Sequence, residues 1–493
     1  MLIEVDDELS DDLIARPPSP SAPRRWPVAL LVCAALLLTI GLLKGTGLKT
    51  GILRWLHLGK ASSSTVAKAP SAPARLTKGA GKTTGSADPA IRFEKIVLPA
   101  SNGIGFTCLQ VGPDHRLYAG ADDGRIFRFP IEPDGTLGAA QIFTSLQQAN
   151  HGERLLTGFC FDPASTPGAP VLWAVHSAFG FTDVPDWQGT ISRISGANLE
   201  TIEDVVVHLP RSQRDHSTFQ PVFGPDGALY FAQGSNTAMG EPDAFWGNRP
   251  ERLLSASILR LDPKRVTPGQ PIDVQTEAEG SYDPSLPDAA LTIYATGVRV
   301  AFDLCWASNG QLYAPTNGAC AGGSTPAGPG NSPPALRNIM LDENDWLFKV
   351  ERGGYYGHPN PAQGHYILNG GNPTTAKDPS ELPLYPVGTR PDSQWHSATY
   401  DFGLHVSPNG IIEYRGRAFD GKLDRKLLVC RYNVGSDLIC LALDANGNVT
   451  SAVAGFEGMT SLANPLDLIE DVSSGYLYVS EYGAQRITLL RPR

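Results

Sequence analysis

The chain has 493 residues, 41% of them hydrophobic and 18% charged, with 52 glycines and 41 prolines, so it can bury a large core and reads as turn-rich β-structure rather than helix. A formal net charge of −10 removes the basic face that nucleic-acid binding requires and leaves small or neutral partners. No Cys-x-x-Cys-His haem site, Gly-x-x-x-x-Gly-Lys-Ser/Thr phosphate loop or His-Glu-x-x-His zinc pair occurs.

Residues 1–25 form an N-terminal tail. Residues 26–43, "WPVALLVCAALLLTIGLL", are 18 uncharged residues, enough to cross a hydrocarbon core, and read as a single transmembrane anchor rather than a cleaved signal. Arg16, Arg24 and Arg25 precede the span while Lys44, Lys49, Arg54 and Lys60 follow it, so charge does not settle orientation. Residues 44–91 are the expected flexible linker; within them 61–90, "ASSSTVAKAPSAPARLTKGAGKTTGSADPA", are small, polar and proline-rich with no periodic apolar pattern. Six cysteines lie beyond the span, an even number compatible with an oxidising compartment, and the expectation is a domain on the periplasmic or other extracytoplasmic side. Cys430 and Cys440 flank a predicted hairpin; they are either bridged across it or buried as free thiols.

Residues 92–493 carry a recurring mark: a Pro/Asp/Asn/Gly turn followed by an alternating strand. It appears as "VGPDHRLYAG" from Val111, "FGPDGALYFAQG" from Phe223, "ASNGQLYAPTNG" from Ala307, "SPNGIIEY" from Ser407 and "VSSGYLYVSEYG" from Val472. "FDPASTPGAPVLWAVHS" from Phe161 is a degenerate sixth copy with a longer turn. Such spacing predicts an all-β, six-bladed β-propeller with inserted loops. "RFEKIVLP" from Arg92 and "QRITLLRPR" from Gln485 are predicted to share one blade and close the ring.

From Phe106 to the C-terminus the chain resembles the glucose/sorbosone dehydrogenase family, soluble quinoproteins of six blades with pyrroloquinoline quinone (PQQ) and calcium. Three ordered stretches carry the likeness: "HSTFQPVFGPDGALYFAQG" from His216, "IYATGVRVAFDLCWASNGQLYAPTNG" from Ile293, and "VERGGYYGHPNP" from Val350. The resemblance implies a catalytic base at His216, eight residues before Gly224, and an arginine against the quinone at Arg299. An unperturbed imidazole pKa of about 6.5 suits a base near neutral pH. A guanidinium suits the negative charge of a reduced quinone. It also implies calcium on the backbone carbonyls of Gly318 and Ala319, and an aldose or polyol substrate whose electrons pass to a membrane or soluble acceptor. Arg431 stands near a family lysine that grips the cofactor.

The chain departs from the pattern at several points. Ser235 replaces the aspartate that orients the base, and Val300 replaces an asparagine. The late arginine pair that binds the quinone carboxylates has no counterpart in "ANPLDLIEDVSSG". Asp215, beside His216, is on the opposite face of any extended segment. Two other readings stay open: a propeller that binds carbohydrate or protein without catalysis, and a calcium-dependent lactonase-like hydrolase with Asn236, Asn317, Asp467 and Glu481 as ligands.

Overall fold

The turn at Gly224–Gly227 shows how the chain makes a blade. Asp226 Oδ1 accepts the Ala228 amide at 3.2 Å and the Gly224 amide bonds the Ala228 carbonyl at 2.8 Å. These bonds set β10 (Val222–Phe223) antiparallel to β11 (Leu229–Gln233), with Val222 opposite Tyr230. All five side chains of β11 are buried, as in a strand packed between neighbouring sheets.

The computed structural model describes residues 83–277, 281–320 and 322–493. In it, six sheets follow one another along the chain. The first comprises β2 (Phe106–Val111), β3 (Arg116–Ala121), β4 (Ile126–Pro130) and β5 (Gln141–Phe143). The second holds β6 (Arg154–Phe161), β7 (Val171–Ala178), β8 (Gly189–Ser195) and β9 (Thr201–Leu209). The third adds β12 (Ser257–Leu261) and β14 (Leu291–Thr296) to β10 and β11. Between these two, β13 (Ile272–Asp273) leaves its own sheet and pairs in parallel with β9. The fourth contains β15 (Cys305–Trp306), β16 (Leu312–Thr316), β17 (Asn344–Val350) and β18 (Tyr400–Leu404). The fifth contains β19 (Pro408–Glu413), β20 (Leu427–Arg431), β21 (Asp437–Leu443) and β22 (Val449–Val453).

The ring closes as the sequence predicts. β1 (Phe93–Val97) pairs with β25 (Arg486–Pro492), Phe93 opposite Pro492, and completes the last sheet with β23 (Pro465–Asp471) and β24 (Tyr476–Glu481). Apolar side chains fill the space between sheets; Phe106 and Phe129 of the first blade meet Tyr478 and Leu489 of the last. Polar stitches bind the innermost strands around the axis. Thr107 Oγ1 donates to the Leu156 carbonyl at 2.7 Å, Thr157 Oγ1 to Thr218 at 2.6 Å, and Asp467 Oδ2 accepts the Leu109 amide at 2.7 Å.

Two expectations are revised, and the alternative left open for Cys430 and Cys440 is decided. "SPNGIIEY" is not a turn before a second strand: Pro408, Asn409 and Gly410 belong to β19, the first strand of its blade. A Cβ on Gly410 would lie 2.7 Å from Asp467 Cα, so this glycine permits close approach of two blades. Cys430 stands opposite Leu438 and Cys440 opposite Leu428, so the two cysteines are not facing partners, and both are buried free thiols. Residues 83–91, the end of the predicted tether, are held on the fifth blade: the Thr84 amide donates to the Ala452 carbonyl at 2.8 Å, and Ile91 is buried. The predicted tail, anchor and most of the tether lie outside the described residues. Among the described residues no helix is long and apolar enough to cross a membrane.

Candidate functional site

The loop between β9 and β10 carries His216. Arg211, fully buried, pins it by donating to the carbonyls of Ser212, Arg214, His216 and Gly180 at 2.7–3.0 Å and to Ser177 Oγ at 3.1 Å. The His216 ring is buried, with Nδ1 2.7 Å from the Ser235 carbonyl oxygen and 3.1 Å from Ser235 Oγ. A carbonyl only accepts, so Nδ1 carries the proton and Nε2 is the basic nitrogen. Burial first, then the Arg299 guanidinium, hold the imidazole well below the ordinary histidine range, so it is neutral at pH 7.

Trp246 lies flat on His216, ring centroids 3.7 Å apart at an interplanar angle of 23°, and the Arg299 guanidinium sits 5.6 Å from the indole centroid. Arg299 is 4% exposed and donates to the carbonyls of Ala238 (3.1 Å), Asn317 (3.4 Å) and Gly318 (3.1 Å). Among the described residues it has no carboxylate in ion-pair range, which is unusual for a buried cation. The Ser235 amide bonds the Arg299 carbonyl at 2.9 Å. Three of the residues singled out in the sequence, His216, Ser235 and Arg299, are thus in one place.

Gly318 and Ala319 lie beside them, and both carbonyls are engaged. Gly318 accepts from Arg299, and Ala319 accepts the Glu343 amide at 2.8 Å. Arg431 is held elsewhere, in a bidentate pair with Asp437 at 2.6 Å for both bonds. The lactonase-type candidates each have protein partners. Asn236 donates to the Pro250 carbonyl, Asn317 to Asn409, Asp467 accepts from Leu109, and Glu481 is taken up by Arg486, Thr488 and the Ala463 amide. Among the described residues no three His, Cys, Asp or Glu side chains are grouped to hold a metal.

Two residues that the sequence reading did not single out complete the site. Glu251 is fully buried, and its carboxylate accepts from the Asn236 amide (3.1 Å), the Thr237 amide (3.0 Å), Thr237 Oγ1 (2.6 Å), Ser255 Oγ and His358 Nε2 (2.9 Å). Burial works to raise its pKa, but the bonds from His358, Ser255 and Thr237 outweigh it and the net shift is downward. His358 and Arg299 line one pocket of about 270 Å³, together with Asn317, Glu343 and Asn369. A second cavity, of about 540 Å³, lies on the propeller axis and is mainly apolar, with Phe219, Phe302 and Leu466 in its wall and Asp122 and Asp215 as its charged groups.

No family model matches the chain. Its fold is similar to a Thermus thermophilus protein described as an oxidoreductase (glucose dehydrogenase), at 18% identity and a TM-score of 0.51 over 81% of this chain and 99% of that one. It is similar to the PQQ-bound aldose sugar dehydrogenase of Streptomyces coelicolor (19%, TM-score 0.50, 83% and 100% covered). It is also similar to the PQQ domain of a Coprinopsis cinerea pyranose dehydrogenase (11%, TM-score 0.51, 83% and 99% covered). At these identities the likeness is one of fold, the fold that the sequence resemblance implied.

Proposed function

We propose that this chain is an oxidoreductase built on the six-bladed scaffold, removing a hydride and a proton from the CH–OH group of an aldose or related polyol. The observation that carries the reading is Arg299: a buried guanidinium, without a carboxylate partner among the described residues, beside buried imidazoles and at the wall of a pocket. Such a cation suits an anionic group or an oxygen that gains negative charge during reaction. Fold similarity to sugar dehydrogenases, two of which are described with PQQ, supports the same reading.

The residues present fit an anionic acceptor of PQQ's kind at one point. Arg299 would hold it; neither cavity offers a second arginine or a lysine among its lining residues, so the remaining carboxylates would go without charged partners. When bound, the quinone supplies the hydride acceptor that no side chain can provide. The protein's own part is to exclude water, to set Arg299 against developing charge, and to accept the hydroxyl proton on a neutral imidazole. The carbonyls of Gly318 and Ala319, assigned to calcium by resemblance, each already accept an N–H, so metal dependence is a separate variable. The reading includes the anchor at 26–43, a domain outside the cytoplasm, and electron transfer to a membrane or soluble acceptor.

The test is dye-coupled oxidation of an aldose panel by the purified full-length chain mixed with PQQ, with and without calcium. Quinone-dependent turnover that Arg299→Met lowers by about 10²-fold or more is expected. Saturating quinone without turnover on any aldose or polyol would sink the reading.

A further inference from the structure

Two imidazoles flank the segment Ser235–Thr237, and they differ in what backs them. His216 Nδ1 faces the Ser235 carbonyl and hydroxyl, and Trp246 covers the ring face. His358 is backed by Glu251, whose carboxylate is ionised and accepts from Nε2 at 2.9 Å. The proton of a neutral His358 is therefore on Nε2, and Nδ1 bears the lone pair. That Nδ1 is buried and has no hydrogen-bond partner, on a side chain 3% exposed in the wall of the Arg299 pocket. A buried polar atom left unpaired calls for a partner, and in a pocket wall a ligand can supply it.

The backbone holds this nitrogen in register with Arg299. The His358 amide donates to the Gly297 carbonyl at 2.9 Å, two residues before Arg299. Gly297 has φ +72°, and a Cβ there would meet the Tyr355 ring at 2.5 Å, so the two segments lock only with glycine at this position.

We propose that His358 Nδ1 is the catalytic proton acceptor of this pocket, with Glu251 as its positioning residue, and that His216 is not. The assignment rests on the oxidoreductase reading. In the step, the substrate O–H bond breaks and an N–H bond forms at Nδ1, giving an imidazolium paired with the Glu251 carboxylate. The O–H electron pair becomes the second bond of the carbonyl, and the C–H pair leaves as hydride to a two-electron acceptor of the quinone class. Four ionisable groups surround the new charge: Glu251 favours it, Arg299 opposes it, and His216 is neutral. Glu343, in the same wall, is held by the Ala319 amide and Asn369 Nδ2 at 2.9 and 2.8 Å. Glu251 thus supplies His358 with a carboxylate partner at Nε2.

Two measurements on the purified full-length chain test this. In ¹⁵N-histidine NMR of the cofactor-free protein, His358 should show the Nε2–H tautomer with a strongly hydrogen-bonded proton that Glu251→Gln abolishes. In steady-state oxidation, His358→Gln should lower kcat by about 10²-fold or more at little changed KM. His216→Gln, which alters a wall of the same site, should lower kcat less than His358→Gln and leave the acid limb of the kcat/KM profile in place. Glu251→Gln should shift the acid limb of the kcat/KM profile to lower pH, and Glu251→Asp should restore it in part. An Nδ1–H tautomer at His358 overturns the assignment whatever the kinetics, and decides it if His358→Gln does not fold. Wild-type turnover that survives His358→Gln but not His216→Gln overturns it alone, whereas a wild type without turnover removes the oxidoreductase reading and this assignment together.

Discussion

Trp246 determines what His216 experiences. The indole is 1% exposed, covers the imidazole face, and has Phe245 at its edge, so Trp246→Ala removes both packing and the burial that keeps His216 neutral. Loss of a buried tryptophan costs about 3–5 kcal/mol, to be read as a fall in the denaturation midpoint. With burial relieved, His216 should titrate closer to the ordinary range in NMR; an unchanged titration would show that Arg299, not burial, holds it down. The sign follows from linkage. A histidine held low binds a proton more readily when unfolded, so its contribution to stability is lost as pH falls through about 6.5. Trp246→Ala should therefore cost less at pH 5 than at pH 8. The meeting of His216, Ser235 and Arg299 was legible because those residues sit in quotable stretches beside a patterned turn and strand. Trp246, Glu251 and His358 were not: Trp246 ends a short 3-10 turn, Glu251 lies in a loop, and His358, though inside the quoted stretch from Val350, is marked by no periodicity that says its side chain turns inward.

At the level of elements, strand pairing is the part sequence patterning reads well and register the part it reads poorly. The closing pair β1–β25 was legible from composition alone. The hairpin β20–β21 was legible too, but not the two-residue offset that separates Cys430 from Cys440, because alternation names a face without naming the opposite residue. "SPNG" misled for a related reason: glycine at position 410 answers a neighbouring blade, which no local pattern reports. The register yields a prediction. The six described cysteines form no disulfide, and burial pushes Cys440 up to about 11 and Cys305 up to about 12, while Cys320 is the one only partly buried. Under native conditions Cys320 should react with a thiol reagent ahead of the other described thiols but slowly, since burial raises its pKa, and the others only on unfolding. A reductant should leave the denaturation midpoint unchanged, and a drop on reduction would mean that a disulfide forms after all.

For the whole molecule the ring is only as sound as its axis, where six innermost strands converge and buried carboxyls stand among apolar side chains. Asp303 Oδ2, just before the fourth blade, accepts the Ile411 amide of the fifth at 2.9 Å, and Asp467 of the sixth blade accepts the Leu109 amide of the first, so each acid ties two neighbouring blades. Both are buried, and burial pushes Asp303 up to about 7 and Asp467 well above the carboxylate range, the latter raised further by the charge of Asp303. Folded chains thus retain protons that unfolded chains release. Stability should be full below the unfolded value near 3.9, fall as pH rises through about 7, and go on falling as the second carboxyl is forced to ionise. Each tenfold difference in proton affinity between folded and unfolded chain is worth about 1.4 kcal/mol at most. Asp467→Asn keeps an oxygen for the Leu109 amide and removes the charge, so it should raise the denaturation midpoint at pH 9 more than at pH 5 and flatten the profile between them. A variant whose pH slope matches wild type would place the dependence elsewhere, with Asp122 as the next candidate: its carboxyl, pushed up to about 6 mainly by burial, accepts the Tyr482 hydroxyl at 2.7 Å in the wall of the axial cavity.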